Sequence, residues 1–195
     1  GGPDFVCFQE DQHFYVEVTC LPQEKVTRVT GLPSSPTSFR GFIHLPTRVV
    51  FQKCIRKATQ CSGLDAPCLL LIGTLHWAGQ VCFGKSNLTE ILTGAVSISG
   101  KVDKKTGQPI GEPYLDTKLA YAAFMRPDNE SSDFYGFARR SISGLLCCGF
   151  WSKTPVVNGI IHPNAVRPFD KNLLPRIDFG VLREGPKGYF RVIWD

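Results

Sequence analysis

Cys68-Leu69-Leu70-Leu71-Ile72-Gly73 contains no polar side chain except the thiol, and this run constrains the fold more than any other stretch. A strand with one wet face alternates apolar and polar residues; an unbroken apolar run of this length suits a strand covered on both faces. Such strands pair in parallel, and a parallel neighbour is reached through a crossover, usually a helix. The residues before the run supply one. From Thr47 to Cys61 the apolar spacing is helical, with Phe51, Cys54, Ile55 and Ala58 predicted as the inward stripe, and Ser62-Gly63-Leu64-Asp65-Ala66-Pro67 ends the helix.

Two strand-like runs open the chain. Phe14-Tyr15-Val16-Glu17-Val18-Thr19-Cys20 alternates, placing Phe14, Val16, Val18 and Cys20 on one face and Tyr15, Glu17 and Thr19 on the other. Pro3-Asp4-Phe5-Val6-Cys7-Phe8 is also strand-like, and the polar link Gln9-Glu10-Asp11-Gln12 suits a hairpin. An antiparallel pairing of the two brings Asp4 near Glu17, and two carboxylates converging beside a sheet make a divalent-metal site. On the helix, Lys53, Lys57 and Gln60 share a face next to the apolar stripe, at i, i+4 and i+7. Between hairpin and helix, Leu21 to Pro46 holds four prolines and the run Gly31-Leu32-Pro33-Ser34-Ser35-Pro36-Thr37-Ser38, which reads as a long irregular loop beside the carboxylates.

The order is therefore strand, strand, helix, strand. Beyond it, Ser86 or Asn87 caps a short helix through Leu92, with Glu90 completing a capping box. Ala95 to Ser99 and a strand near Tyr114 flank the charged turn Lys101 to Pro109 as a surface hairpin. Arg126 to Asp133 is a loop, Ser141 to Phe150 a core strand, and Gly159 to His162 and Gly188 to Trp194 are further strands. There is no internal repeat.

A chain of 195 residues, 43% apolar and 20% charged, is expected to fold as one globular domain. The formal charge of +5 is compatible with a polyanionic partner without requiring one. Eight cysteines would suit a secreted disulfide scaffold in a short, loop-rich chain. Here Cys7, Cys20, Cys54, Cys68 and Cys147 fall in apolar patterns without any C-x-x-C pair, so reduced thiols and a cytoplasmic setting are expected. No run reaches the length of a membrane span. The opening Gly1-Gly2-Pro3, with Met125 the only methionine, suggests a processed product or a fragment. His13, His44, His76 and His162 are too scattered for a metal motif. No phosphate-binding glycine loop or nucleophile elbow occurs.

Pro3-Asp4, then Glu17-Val18-Thr19 after a short hairpin, then a helix carrying Lys57 and Gln60 and a buried strand, resembles the PD-(D/E)xK nuclease superfamily over about the first 75 residues. The resemblance implies an α/β restriction-endonuclease-like fold, with a central mixed β-sheet flanked by helices. The 1–75 region would form the motif core, and 76–195 would add a helix, a hairpin insertion and additional C-terminal strands. It implies a Mg²⁺- or Mn²⁺-dependent phosphodiesterase acting on DNA, with Asp4, Glu17 and the Val18 carbonyl as metal ligands and Lys57 and Gln60 as further catalytic residues. Lys53 and Arg56 would meet nucleic-acid phosphates. Hard oxygen ligands suit such a metal, which sharpens a water into a nucleophile and neutralises charge on the phosphate.

The sequence departs from the superfamily pattern at two points. Thr19 stands where the motif usually has lysine, and Lys57 on the adjacent helix is the candidate to bring that charge into the site. The chain also begins on the Pro-Asp strand, where the superfamily usually has a helix and a strand first. Missing N-terminal sequence or a second copy of the chain would complete the fold, or later strands complete the sheet differently, or the site is incomplete. The alternative function is a nuclease framework without chemistry that binds nucleic acid or protein.

Overall fold

The structure, a computed structural model, describes residues 2–9, 11–36, 45–118, 121–127, 135–184 and 190–194. Strands β1 (Phe5–Gln9) and β2 (Gln12–Cys20) form the opening hairpin, with Phe5 opposite Val16 and Gln9 opposite Gln12. Helices α1 (Gln23–Thr30) and α2 (Thr47–Cys61) lead to β3 (Cys68–Thr74), which lies parallel to β2 with Glu17 opposite Leu70. Two short helices follow, α3 (Gly79–Cys82) and α4 (Lys85–Thr93). The hairpin β4 (Ala95–Val102) and β5 (Pro109–Lys118) and the pair β6 (Met125–Pro127) and β7 (Tyr135–Phe137) form two small separate sheets. The chain then returns to the main sheet through β8 (Gly144–Gly149), β9 (Val156–Ile161), β10 (Asp178–Glu184) and β11 (Phe190–Trp194).

The main sheet has seven strands in the order β1-β2-β3-β8-β9-β10-β11. It is mixed: β2, β3 and β8 are mutually parallel, β9 and β10 pair in parallel, and the other neighbours are antiparallel. The protein is thus an α/β structure around a mixed central sheet. Alternation along each strand divides the core into two layers. Leu70 and Ile72 of β3, with Leu145 and Cys147 of β8, pack with Val26 of α1, Val50 and Cys54 of α2 and Leu88, Ile91 and Leu92 of α4. Leu69 and Leu146 face the other way and meet Phe14, Val16, Phe169 and Phe179, with Leu173, Leu174 and Ile177 at the margin. Both faces of β3 are therefore covered, which is why its sequence carries no polar alternation. Among the described residues the core helices lie on one face only; the second face is closed by the 169–177 segment and its 3-10 turn Lys171–Leu173.

Several local expectations are corrected. The stretch from Leu21 to Pro46, read as one irregular loop, contains α1. Pro22 starts it, Glu24 in its first turn and Arg28 in its last complement the helix dipole, and Gly31 ends it in the left-handed region at φ 77°. Residues 37–44, including the end of the proline-rich run and His44, lie outside the described residues. On α2 the buried positions are Val49, Val50, Cys54 and Cys61, while Ile55 is exposed. Ile55 sits about 100° round the helix from Cys54, which centres the stripe. Helix α4 starts at Lys85 behind Gly84 with no side-chain cap, and the Asn87 amide instead donates to the Val81 carbonyl at 2.7 Å. The predicted loop from Arg126 begins as β6, and its remaining residues, 128–133, lie outside the described residues, as do Gly188 and Tyr189 before β11. Strand β10 falls where no strand was expected.

Candidate active site at the edge of the sheet

Hydrogen bonding across the sheet fixes which way the β2 backbone faces. Tyr15 N–H donates to the Pro67 carbonyl and Leu21 N–H to the Gly73 carbonyl, so the odd residues of β2 bond towards β3. The even residues, Val18 among them, turn both N–H and C=O towards β1. Level with Val18, however, β1 has not yet begun, since its first residue, Phe5, pairs with Val16. The carboxylate of Asp4 takes the place of a strand partner: Val18 N–H donates to Asp4 Oδ2 at 2.8 Å. Asp4 is exposed, and no other described residue bonds it.

Glu17, one residue away, points to the opposite side from Val18, onto the helix-covered face. It is 3% exposed, and an isolated carboxylate buried so deeply would be strongly disfavoured. Lys57 of α2 compensates, its Nζ forming an ion pair with Glu17 Oε1. Lys57 keeps 22% of its side chain exposed and Glu17 4%, so the pair sits at the mouth of the layer between α2 and β2. Among the described residues no side-chain oxygen is both fully buried and unpartnered. Thr19, two residues on and on the same face, is buried.

The structure therefore brings Glu17 and Lys57 into contact and ties Asp4 to the residue beside Glu17. Gln60 and Arg56 are exposed on α2, away from any bond to these carboxylates. The Lys53 ammonium is half-buried; partial burial, then the positive charges of Lys25, Arg56 and Lys57, hold its pKa below the usual lysine range. The Val18 carbonyl, like its N–H, is directed towards the β1 side of the sheet, and carboxylate and carbonyl oxygens are the hard donors that Mg²⁺ accepts. No group of three or more His, Cys, Asp or Glu that could hold a metal gathers here or elsewhere among the described residues. Asp65, the next acid along this face, is engaged by the Tyr15 hydroxyl, which donates to its Oδ1 at 2.7 Å. That bond holds the Asp65 carboxyl below its usual range.

Two features of this region had no sequence signal. Cys68 Sγ lies 3.1 Å from Cys61 Sγ, both buried, where α2 ends and β3 begins. The thiol of Cys68 donates to Cys61, lowering the pKa of Cys61 and raising that of Cys68. Six residues separate the two cysteines in sequence, a spacing without diagnostic value. The second feature is the pair of cations on α1, Lys25 and Arg28, hidden because that helix was read as loop.

No protein-family model matches the chain, and comparisons with curated proteins and with solved structures likewise gave no match. Among the described residues no helix is long and apolar enough to cross a membrane.

Proposed function

We propose that the protein is a restriction-endonuclease-like, PD-(D/E)xK-type nuclease that hydrolyses phosphodiester bonds in DNA with Mg²⁺ or Mn²⁺, in a cytoplasmic setting. The observation that carries this reading is the Glu17–Lys57 ion pair formed between β2 and α2, with Asp4 anchored at Val18 beside it. Hairpin, crossover helix and parallel buried strand follow in the order the superfamily uses, and Lys57 delivers from the helix the charge that Thr19 does not supply. Asp4, Glu17 and the Val18 carbonyl would hold the metal, which, when bound, would polarise the attacking water and neutralise charge on the phosphate. Asp4, fixed by the Val18 amide, and Glu17, fixed by Lys57, are oriented before substrate arrives. With a phosphate at the mouth of the site, Lys57 stands where it can stabilise a hydroxide or the developing negative charge.

The test is cleavage of supercoiled and linear DNA with Mg²⁺ or Mn²⁺, run beside Glu17→Ala. Metal-dependent cutting is expected from the native protein, with a loss in the variant of at least about 100-fold. Equal cutting by both would assign the activity to another source. A second reading is favoured by the burial of Thr19 and by the engagement of Lys57 with Glu17: the same framework without chemistry, serving to bind nucleic acid or protein. Binding without cutting under any metal selects it.

A further inference from the structure

Helices α1 and α2 flank an open cleft of about 390 Å³ whose polar lining is Lys25, Arg28, Arg48 and Gln52, over a floor that includes Val29 and Val49. It contains three cations and one amide but no carboxylate. Along α2, Arg48, Gln52 and Arg56 recur at i, i+4 and i+8, which puts them in one row about 12 Å long. Lys53 sits beside this row, close enough to Lys25, Arg56 and Lys57 to be affected by all three charges. Among the described residues Lys25, Arg28, Lys53 and Arg56 have no ion-pair partner, and Arg48 lies over the Tyr121 ring at 5.7 Å. Lys57, at the far end, is the one member neutralised by a carboxylate. Cations crowded without counter-charge repel one another, and that cost is offset when an anion fills the space between them. The row is extended over about 12 Å, longer than one phosphate group, which fits a chain of phosphates better than a single one.

We propose that the α1–α2 cleft is a nucleic-acid track, in which Lys25, Arg28, Arg48, Lys53 and Arg56 hold successive phosphates of one strand and lead it towards Glu17 and Lys57. Only the second half, that the track ends at a cleavage site, rests on the nuclease reading. Phosphate binding by the cleft stands apart from it. Such contacts carry little base preference, because they address the backbone.

The experiment measures anisotropy of a fluorescein-labelled 12-nucleotide single strand with the full chain in EDTA, across a series of salt concentrations. The variants are Arg28→Gln/Arg48→Gln, its charge-keeping counterpart Arg28→Lys/Arg48→Lys, and Lys104→Gln/Lys105→Gln in the exposed β4–β5 turn, which removes two charges elsewhere. The glutamine pair in the cleft is expected to weaken binding by about 10-fold or more and to lower the slope of log K against log salt by about 1.4, two phosphate contacts on a single strand. The lysine pair and the turn variant are expected to stay within about threefold of the native protein. Native affinity and slope in the cleft glutamine variant, an equal loss in the turn variant, no binding by the native protein, or equal competition by polyglutamate of matched charge would each overturn the track. If the native protein binds through the cleft yet never cuts, the nuclease reading fails and the track survives. If it cuts DNA while the cleft variants bind as the native protein does, the reverse holds.

Discussion

Lys57 spans a gap between a helix and a strand to meet a carboxylate that has almost no water of its own. Replacing it with methionine would leave Glu17 charged and unpaired, and partial exposure at the site's mouth limits the cost to about 3 kcal/mol. Adding Glu17→Gln to Lys57→Met should recover most of that loss in urea unfolding, because the uncompensated charge is gone. His162 makes a second residue-level prediction. Its Nε2–H donates to the Ala138 carbonyl, its Nδ1 accepts from Asn164 N–H, and burial is the main cause that lowers its pKa to about 4. The folded state thus keeps this ring neutral while the unfolded chain, with an ordinary value near 6.5, takes up a proton. Between those values the unfolded state binds more protons, so stability falls as pH drops through 6.5 and the loss is complete near pH 4. Up to about 3 kcal/mol is involved. Comparing denaturant midpoints of native and His162→Gln proteins from pH 7.5 to 4 isolates this contribution, and parallel curves would refute it. At this scale Glu17 was legible because alternation in β2 fixes its face, and Lys57 because helical spacing fixes its own. The bond from Val18 to Asp4 was not, since it depends on where β1 begins.

Elements were readable where their period ran unbroken. Strands β2, β3 and β8 and helix α2 each carry one pattern from end to end. Helix α1 was hidden: eight residues, four of them β-branched threonine or valine, stand between prolines in a stretch dominated by turn residues. Its signals were the ends themselves, Pro22 and Gly31. Strand β10 has glycine at its third position, Gly180, where Val192 and Trp194 of β11 fill the space a side chain would need. An equally close approach, to backbone, occurs between α3 and β8. A Cβ on Gly149 would come within 2.7 Å of the Gly79 carbonyl carbon, and the obstacle is backbone, which does not rotate away. Gly149→Ala is therefore expected to destabilise by about 1–3 kcal/mol, through displacement of α3 from the end of β8. A melting temperature unchanged by the substitution would show that α3 yields freely.

For the whole molecule, the succession β1, β2, α2, β3 could be ordered from sequence because each of the four carries its own pattern, although α1 between β2 and α2 was missed. The order of β8 to β11 could not, since it depends on pairings between distant segments and on a second face closed by irregular chain. The resulting sheet is protected unevenly. Strands β3 and β8 sit between paired neighbours with covered faces, whereas β1 is an edge with Phe5, Val6 and Phe8 exposed. Amide hydrogen exchange should be slowest in β3 and β8 and faster by several orders of magnitude in β1. Uniform protection across the sheet would contradict this gradient.

The distribution of sulfur offers a way to watch that unevenness chemically. Cys20 is exposed and Cys7 half-buried, while Cys54, Cys61, Cys68, Cys82, Cys147 and Cys148 are enclosed in α2, β3, α3 and β8. A maleimide pulse followed by peptide mapping would date the opening of each of those four elements separately, with no label engineered into the chain.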